Sequence, residues 1–349
     1  MEFLYEYGLF LAKAVTLVVA IVLTVAGVVA AAAASKGKDK KGHLDISNLS
    51  EQIKQQLHDI QHKVLSKPAL KALEKEQKQA EKEAKKAEKS GEHKEKKRTY
   101  VIDFKGSMDA REVEALREEI SAVLSIANKE QDELLVRLES PGGMVHGYGL
   151  AASQLTRVRD SGLSMTIAVD KVAASGGYMM ACVGDKILAA PFSIIGSIGV
   201  VAQMPNFNKL LKKNDIEFEQ HTAGEFKRTL TMFGENDDKA REKFKDDLEE
   251  IHGRFKSFIT EYRADLDIEK VATGEHWLGA QAKELGLVDE IGTSDDYLLN
   301  AVNESDREVF KVKFATKKKL AEKLSQGVSL CADGLLNRLT GRANESKFS

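Results

Sequence analysis

Residues 164–182 have the sequence SMTIAVDKVAASGGYMMAC, and this stretch contains the pattern that decides the fold. Its first part, SMTIAVD, is apolar and rich in branched residues, which is typical of a buried strand. Its last part, from Gly176 onward, is predicted to be a short helix. Between them the chain places Ala173, Ala174, Ser175 and two glycines, so that a lone hydroxyl interrupts an apolar run. The stretch therefore predicts a strand, a tight turn and a helix in succession.

The same order of elements occurs immediately upstream. ELLVRLE, residues 133–139, is strand-like, and it is followed by Ser140-Pro141-Gly142-Gly143 and by a predicted helix over residues 144–162. Before it, YVIDFKG (residues 100–106) alternates as a strand does, and residues 109–127 have helical spacing. Strands that alternate with helices indicate an α/β domain with parallel pairing.

The two glycine turns are the candidate functional positions of this domain. Each follows a strand and opens a helix, and α/β proteins place ligands at such strand ends. Glycine lets the backbone approach a ligand closely, and the N–H groups at the start of a helix face outward with a positive field. Two such turns side by side can supply two donors to one oxyanion, as acyl transfer requires. Either turn alone is more simply a packing device, but together with Ser175 they favour a nucleophilic site.

A serine nucleophile needs a base, and the residues alone leave its identity open. His146, His221 and His276 are of the right type, but none lies in a stretch that suggests a triad. Lys227, in HTAGEFKRTLTMFGEN (residues 221–236), has apolar neighbours compatible with burial. A lysine can act as a base near pH 7 only when desolvation makes the neutral amine available.

Composition excludes several classes of site. The chain has 349 residues and a formal net charge of −2. Its only cysteines, Cys182 and Cys331, are far apart and form no CxxC motif, so neither a disulfide framework nor a zinc site is predicted. Both are expected to be free thiols. His58 and His62 have the i, i+4 spacing of a helical metal site but no third ligand, so no metal is expected.

The N-terminus contains an uncharged apolar segment, AVTLVVAIVLTVAGVVAAAAA, from Ala14 to Ala34. About 20 such residues in a helix cross a bilayer core. A cleavable signal peptide is the alternative, but the run is long for one and the leader MEFLYEYG is acidic. A retained membrane anchor is therefore predicted. The lysines that follow it favour a cytoplasmic catalytic domain.

The segment between the anchor and the domain is predicted to be helical and then charged. Apolar residues at gaps of three and four predict an amphipathic helix, with Asn48 and Glu51 placed to cap its start; they are Ile46, Leu49, Ile53, Leu57, Ile60 and Val64. Residues 71–98 are almost wholly Lys, Glu, Ala and Gln, which is typical of a solvated helix or a disordered spacer. Their mixed signs argue against nucleic-acid binding.

Five ordered motifs give the chain a resemblance to the S49 family of serine peptidases, the signal peptide peptidase A family, and within it to the SohB-type group of bacterial membrane peptidases. The resemblance covers about residues 100–296. The motifs are ESPGG (139–143), DKVAASGGYMMA (170–181), DKILAAPFSIIGSIGVV (185–201), AGEFKRTLTMF (223–233) and ATGEHWLGAQAKELGLVDEIG (272–292).

The resemblance implies a fold and a site. The fold would be the ClpP/crotonase-like superhelix of β-β-α units, preceded by a transmembrane helix and a charged helical linker. Ser175 would be the nucleophile, Lys227 the general base, and the backbone N–H groups of Gly143 and Gly176 the oxyanion donors. A ClpP-like histidine base would fall near SIGVVAQM, residues 197–204, which contains none. The family also implies closed homo-oligomeric rings in which serine and lysine come from adjacent protomers.

These inferences predict an organisation and a function. The chain is predicted to consist of four parts: a membrane anchor (1–35), a linker (36–98), a catalytic domain (99–300) and a C-terminal helical extension (301–349). The substrates would be peptides or membrane-derived polypeptides, cleaved without metal, nucleotide or other cofactor. The best-known relatives act outside the inner membrane. A periplasmic catalytic domain is therefore predicted, although the lysines that follow the anchor favour the cytoplasm.

Two alternative functions are compatible with the chain. AASGG (residues 173–177) is a loose variant of the G-x-S-x-G elbow of α/β-hydrolases, with His276 as the late histidine. A non-catalytic membrane scaffold is the other alternative. The two glycine turns, with their predicted oxyanion donors, fit a peptidase better than they fit the hydrolase or the scaffold.

Overall fold

The computed structural model describes residues 5–13, 15–17, 42–73, 75, 79, 96–304 and 306–316. The chain divides into two compact units, one of residues 44–315 and the other of residues 1–43 and 316–349. In the second unit residues 5–13 and 15–17 are helical. Every functional feature discussed below lies within residues 44–315.

Within these described ranges no helix has the length and apolar character needed to cross a membrane. The predicted span Ala14–Ala34 lies outside the described residues except for residues 15–17. Most of the charged tract 71–98 and residues 317–349 of the predicted C-terminal helical extension also lie outside them.

The fold is built on a seven-stranded sheet, in which every pairing between its strands β10, β2, β3, β4, β6 and β9 is parallel. The strand order is β1-β10-β2-β3-β4-β6-β9. The parallel α/β architecture predicted from the sequence is thus confirmed. The strands are β1 (Gly42–Asn48), β2 (Lys97–Lys105), β3 (Glu133–Glu139), β4 (Ser164–Val169), β6 (Lys186–Ala189), β9 (Glu290–Ile291) and β10 (Arg307–Thr316).

Helices cover both faces of this sheet, and successive residues of each strand point to opposite faces. Ile102 and Phe104 of β2 face the larger core with α2, α3, α4 and α6, whereas Val101 faces the smaller core with α9. The helices are α1 (Leu49–Val64), α2 (Val113–Ile126), α3 (Val145–Ser161), α4 (Gly176–Ala181), α5 (Asn208–Lys213), α6 (Asp238–Tyr262), α7 (Ile268–Val271), α8 (Gly279–Glu284) and α9 (Ser294–Asn303).

A second, three-stranded sheet consists of β5 (Val172–Ala174), β7 (Ile194–Gly196) and β8 (His276–Leu278). Strand β5 pairs with β7 in parallel, and β7 pairs with β8 in antiparallel orientation. A parallel bridge between Ser140 and Ala173 joins the end of β3 to β5. This bridge brings the two glycine turns together.

The apolar stretch of residues 185–201 belongs to the folded unit, as predicted. It forms β6 and β7, and Ile187 and Ile195 are completely buried. Trp277 on the neighbouring strand is half-buried and packs against the core.

The linker before the domain contains the predicted amphipathic helix, now α1. Its N-cap is Asn48, whose side chain accepts a hydrogen bond from the backbone N–H of Glu51 at 3.1 Å. Leu49 and Ile53 pack on the smaller core. Ile46, assigned to the helix from the sequence, lies instead in β1, because the open edge of β10 offers backbone groups with which a strand can pair.

The C-terminal boundary also differs from the sequence expectation. Residues 301–349 were expected to form a helical extension, but β10 is a strand that lies between β1 and β2. Its sequence REVFKVKFAT alternates, and Val309 and Val312 are buried. The backbone N–H of Val309 donates to the hydroxyl of Ser50 at 2.9 Å, which ties α1 to the sheet.

Candidate active site

Ser175 occupies the turn between β5 and α4 in a strained backbone conformation. Its φ of 52° and ψ of −120° lie where side chains other than hydrogen are disfavoured, at a cost of roughly 1–3 kcal/mol. Its backbone N–H donates to the carbonyl of Gly196 at 2.8 Å, and its carbonyl accepts from the N–H of Met179 at 3.0 Å. The surrounding structure therefore fixes the backbone of Ser175 at the entrance to α4.

The turn after β3 packs directly against Ser175. Gly142 has a φ of +87°, and a Cβ placed on it would lie 2.7 Å from the Cβ of Ser175 and 2.9 Å from the backbone nitrogen of Gly176. A Cβ on Gly143 would overlap the carbonyl oxygen of Met108. The glycines are required here because two backbone segments meet with no room for side chains.

A buried chain of hydroxyls fixes this contact. Ser140 accepts a hydrogen bond from the N–H of Gly142 at 3.1 Å and donates to the phenol oxygen of Tyr148 at 2.6 Å. Tyr148 in turn donates to the carbonyl of Ser107 at 2.9 Å. Burial raises the pKa of the Tyr148 phenol, which keeps it a donor. The ring of Tyr148 also fills the space that a Cβ on Gly176 would need.

The backbone N–H groups of Gly143 and Gly176 are available to a ligand. Neither donates to any protein acceptor among the residues that the structure describes. Gly176 is the first residue of α4, where an N–H group has no partner within the helix. Both glycines and Ser175 line the same cavity.

This cavity has a volume of about 1180 Å³, enough for an extended peptide segment. Its walls are mainly apolar and come from α3, α4, α6 and the loops after β3 and β7. The lining residues are Met108, Pro141, Gly142, Gly143, Met144, Val145, Tyr148, Gly149, Ser153, Ser175, Gly176, Met179, Ser197, Gly199, Val200, Val201, Ile251, His252, Arg254, Phe255, Phe258, Thr273 and Gly274.

Lys227 is not among the residues that line the cavity. It lies in the segment of residues 200–236, which contains α5 and which we call the arm, and its side chain is exposed. Its backbone N–H donates to the carbonyl of Gly224 at 3.1 Å. A single chain thus brings Ser175, Gly143 and Gly176 together but leaves Lys227 outside their cavity.

The three histidines considered from the sequence also lie outside the cavity. His146 is exposed at the start of α3, His221 is exposed on the arm beside Glu219, and His276 is exposed on β8. The histidine that does line the cavity is His252 on α6. The helical spacing of Ile251, Phe255 and Phe258 could have located this wall, but no sequence signal connects it with Ser175.

Across the described ranges, no group of three or more potential ligands is placed to hold a metal ion. His58 and His62 stack edge to face, with ring centroids 4.3 Å apart. The Cys182 thiol is completely buried, and burial strongly raises its pKa, which makes it a packing group and not a nucleophile.

Two family models match consecutive parts of the chain. The model for the N-terminal part of peptidase family S49 matches residues 2–155, and the model for peptidase family S49 matches residues 157–308.

Curated relatives agree with these models. A probable protease SohB from Haemophilus influenzae is 49% identical over 344 residues, which cover 97% of this chain and 96% of the relative. A protein of the same name from Buchnera aphidicola of Schlechtendalia chinensis is 49% identical over 86% of this chain and 100% of its own length. A third, from Buchnera aphidicola of Acyrthosiphon pisum, is 58% identical over 67% of this chain and 69% of the relative.

Proposed function

The chain belongs to peptidase family S49, and from that membership we propose that it is a membrane-anchored serine endopeptidase with a dyad of Ser175 and Lys227. Its substrates are extended peptides or membrane-derived polypeptides. The mixed α/β fold with its parallel sheet is compatible with the ClpP/crotonase-like superhelix of this proposal.

One observation carries the assignment of the nucleophile. The hydroxyl of Ser175 is held by a strained turn in an apolar cavity, beside two backbone N–H groups that have no acceptor among the described residues. Strained backbone conformations of this kind cluster at active sites, where the surrounding structure maintains them. An exposed structural serine would need neither the strain nor the cavity.

The N–H groups of Gly143 and Gly176 form the oxyanion hole in this mechanism. When Ser175 attacks a peptide carbonyl, negative charge develops on the carbonyl oxygen. Donors already oriented toward that position need no reorganisation, and removal of one such donor typically costs about 10²–10³-fold in rate. The close contact of the two turns supports this role, because it keeps the two donors at a fixed separation.

Lys227 supplies the base from another copy of the chain. In this proposal its neutral amine takes the proton of Ser175 during attack and returns it to the leaving amine. Water then hydrolyses the acyl-enzyme with Lys227 again as base. Lys227 is exposed in the single chain, so its burial and neutral form would both depend on assembly.

The arm has the surface of an element that packs on another subunit. None of its residues, all of which are described, is buried, and nine of its large apolar side chains are exposed. Exposed apolar surface of this extent marks interaction sites. The nine are Val201, Met204, Phe207, Leu210, Ile216, Phe218, Phe226, Met232 and Phe233.

Labelling with a fluorophosphonate probe tests the nucleophile. The full-length protein in detergent should bind one probe per active site, at Ser175, and chelators should not affect the labelling. The Ser175→Ala protein should stay unlabelled. Absence of labelling in a folded wild-type assembly would favour the scaffold function, and loss of labelling on His276→Phe would favour the hydrolase.

Co-expression of two inactive variants tests the shared dyad. Ser175→Ala and Lys227→Met subunits should each be inactive alone, and mixed assemblies should regain partial activity at junctions where an intact serine meets an intact lysine. An inactive mixture, with mixed assemblies verified by tagged pull-down, would place both residues of one site in the same chain.

The anchor and its orientation need a separate experiment. A single cysteine in place of Ser90 in the linker, in a protein lacking Cys182 and Cys331, reports the side of the membrane. Labelling in intact cells by a reagent that crosses only the outer membrane would support a periplasmic domain. Labelling only after lysis would support a cytoplasmic one.

A further inference from the structure

The proposed oxyanion donor of Gly143 lies between two peptide groups that are both held in place. On one side, the N–H of Gly142 donates to the hydroxyl of Ser140 at 3.1 Å. On the other side, the N–H of Met144 donates to the carbonyl of Met108 at 2.8 Å. The N–H of Gly143 itself has no acceptor among the residues that the structure describes. Because peptide groups are planar and turn only about two soft dihedrals per residue, the partners of the two neighbours restrict the direction of this free N–H.

Both of these partners lead to the loop after β2, residues 106–112. Met108 belongs to the loop, and Ser140 is connected to it through Tyr148. The hydroxyl of Ser140 donates to the phenol oxygen of Tyr148 at 2.6 Å, and this phenol donates to the carbonyl of Ser107 at 2.9 Å. The turn that carries Gly143 is therefore joined to the loop by one main-chain bond and by one chain of side-chain hydroxyls.

The part of the loop that receives the phenol is itself fixed. The N–H of Ser107 donates to the carboxylate of Glu112 at 3.0 Å, and the Ser107 hydroxyl donates to the same oxygen at 2.8 Å. The N–H of Gly106 donates to the carbonyl of Glu139 at 2.9 Å, and a Cβ on Gly106 would overlap the phenol oxygen of Tyr148. The hydroxyl of Tyr148 is thus bound to backbone that is held on both sides.

Tyr148 also contacts the second proposed donor. The side chain is completely buried, and a Cβ on Gly176 would lie 2.7 Å from the Cβ of Tyr148. The ring therefore packs directly on the backbone that carries the N–H of Gly176, while the hydroxyl is linked to the turn that carries the N–H of Gly143. One side chain connects the two donors.

We infer that Tyr148 is a positioning residue for the oxyanion hole, whose hydroxyl holds the turn after β3 so that the N–H of Gly143 meets the developing charge. This inference rests on the proposed peptidase function. The single phenol proton is donated to Ser107, so the hydroxyl has no proton to offer the substrate and acts through the turn. A displacement of about 1 Å in a reacting site can cost on the order of 10²-fold in rate.

Phenylalanine in place of Tyr148 tests this role. The substitution keeps the ring against Gly176 and removes only the hydroxyl. For a fluorogenic peptide of alternating alanine and leucine and the full-length protein in detergent, kcat should fall about 10–100-fold while KM changes less than about twofold. Affinity of the uncleaved peptide for the Ser175→Ala protein, measured by fluorescence anisotropy, should be the same with and without Tyr148→Phe. A tyrosine with a structural role only would lower the midpoint of urea denaturation and leave kcat of the folded enzyme unchanged.

A double-mutant cycle tests the route through Ser140. Ser140→Ala removes the hydroxyl that links Tyr148 with the N–H of Gly142, so this variant should show the same loss of kcat at nearly constant KM. In the Ser140→Ala protein, Tyr148→Phe should change kcat by less than about threefold, because the chain of hydroxyls is already broken. Two independent roles would multiply the two losses.

Tyr178→Phe is the matched control. Tyr178 is also completely buried, and its phenol donates to a backbone carbonyl, that of Leu287, at 3.0 Å. The control therefore loses a buried hydrogen bond of the same kind that is not part of either glycine turn. Its urea midpoint should fall as that of Tyr148→Phe does, and its kcat should stay at the wild-type value.

Each result decides the inference. An unchanged kcat in Tyr148→Phe, a loss that appears in peptide affinity, an equal loss of kcat in Tyr178→Phe, or multiplied losses in the cycle would overturn it. If Tyr148→Phe does not fold, Ser140→Ala decides by the same comparison of kcat with KM. If the wild-type protein neither hydrolyses peptide nor reacts with the fluorophosphonate probe, the proposed function fails and the inference with it. An active wild type with unchanged kcat in the variants overturns the inference alone.

Discussion

The turn that holds Ser175 and the arm that carries Lys227 are built in opposite ways within one chain. The turn lies among fully buried residues such as Tyr148 and Tyr178, and backbone contacts leave no space for a methyl group on Gly142. The arm contains no buried residue, and its nine large apolar side chains are exposed. The proposed nucleophile and oxyanion donors thus lie together in one chain, whereas the proposed base lies outside their cavity.

The arm is nonetheless ordered by its own contacts. Asn206 donates to the carbonyls of Thr231 and Gly234, and the rings of Phe207 and Phe233 stack with centroids 6.0 Å apart. Glu225 pairs with Lys239 at the start of α6 at 2.6 Å. The comparison teaches that the arm has a defined conformation although its apolar side chains are exposed. A disordered loop would not present its apolar groups in this way.

Removal of either dyad residue should have the largest effect. Ser175→Ala and Lys227→Met are each expected to lower peptide hydrolysis by roughly 10⁴-fold or more, because nucleophile and base act as a unit. The thermal midpoint of the dissociated chain should stay within experimental error for Lys227→Met, since the side chain is exposed in the single chain. Ser161→Ala, on α3 outside the cavity, is the matched control. Substantial hydrolysis by the Lys227→Met protein would contradict the dyad.

Alanine at Gly142 should damage both stability and activity. The substitution adds a methyl group within 2.7 Å of the carbonyl oxygen of Ala174 and forces a φ of +87° on a residue with a side chain. We expect a loss of about 2 kcal/mol or more in the free energy of unfolding, measured by urea denaturation. Hydrolysis should fall at least about tenfold as the oxyanion donors shift.

Gly253→Ala on α6 is the control for this prediction. A Cβ at Gly253 meets no atom within 4 Å, and alanine favours the helix by up to about 1 kcal/mol. A Gly142→Ala protein as stable as the Gly253→Ala protein would show that the turn is not the rigid region described above.

A polar residue on the arm should affect assembly and not the fold of the chain. Leu210 is 57% exposed, so Leu210→Ser should leave the thermal midpoint of the dissociated chain unchanged. If the arm packs on another copy, the substitution removes about 1.5–3 kcal/mol of apolar burial from that contact. Activity at low protein concentration should then fall about tenfold, in parallel with the mass measured by light scattering.

Leu116→Ala, in the core, should instead lower the folding stability of the single chain. Leu116 is almost fully buried on α2, and its truncation should cost about 2–5 kcal/mol of folding stability. If Leu210→Ser destabilised the dissociated chain by a similar amount, the arm would be part of the core of its own chain.

The smallest predicted effect concerns the protonation of Glu119, which should change stability and not activity. Glu119 is buried on α2, accepts a hydrogen bond from the N–H of Phe314 at 2.7 Å, and burial raises its pKa to about 6 from an ordinary value of 4.5. Because the folded chain binds this proton more tightly than the unfolded chain, its contribution to stability is full below pH 4.5 and is lost as the pH rises through 6.

Glu119→Gln should remove this pH dependence. The variant should be more stable than the wild type by about 2 kcal/mol at pH 7.5 and equal to it near pH 4, in urea denaturation at both values. Activity at pH 7.5 should not change, since Glu119 lies on the scaffold and not in the cavity. A stability difference that is the same at both pH values would contradict the raised pKa.

The sequence predicted the rigid region better than the rest of the chain. Strands β2, β3 and β4 and helices α2, α3 and α4 follow from local periodicity and glycine turns, because each is buried on the face that its pattern indicates. Strands β5 and β8 were not predicted, since three residues carry too little periodicity. Strand β10 was not predicted either, because its pairing with β2 joins residues far apart in the chain.

The same limit applies to the candidate site. The positions of Ser175, Gly143 and Gly176 could be inferred because each turn follows its own strand. The assignment of Lys227 came from a family resemblance. The exposure of its side chain could not be predicted, because its apolar sequence neighbours suggested burial. His252 was missed because its place in the wall of the cavity is set by the packing of α6 on α4, which no local pattern encodes.

Under the proposed dyad shared between membrane-anchored chains, the separation of Lys227 from the cavity has a consequence for timing in the cell. A newly made chain carries its serine in a cavity that its own lysine does not reach, so synthesis alone would create no proteolytic activity. Hydrolysis would begin only after chains meet, and its rate per chain would rise with their density in the membrane. Dilution would switch the enzyme off reversibly, without an inhibitor or a removable propeptide, and dispersed chains would be harmless to neighbouring proteins.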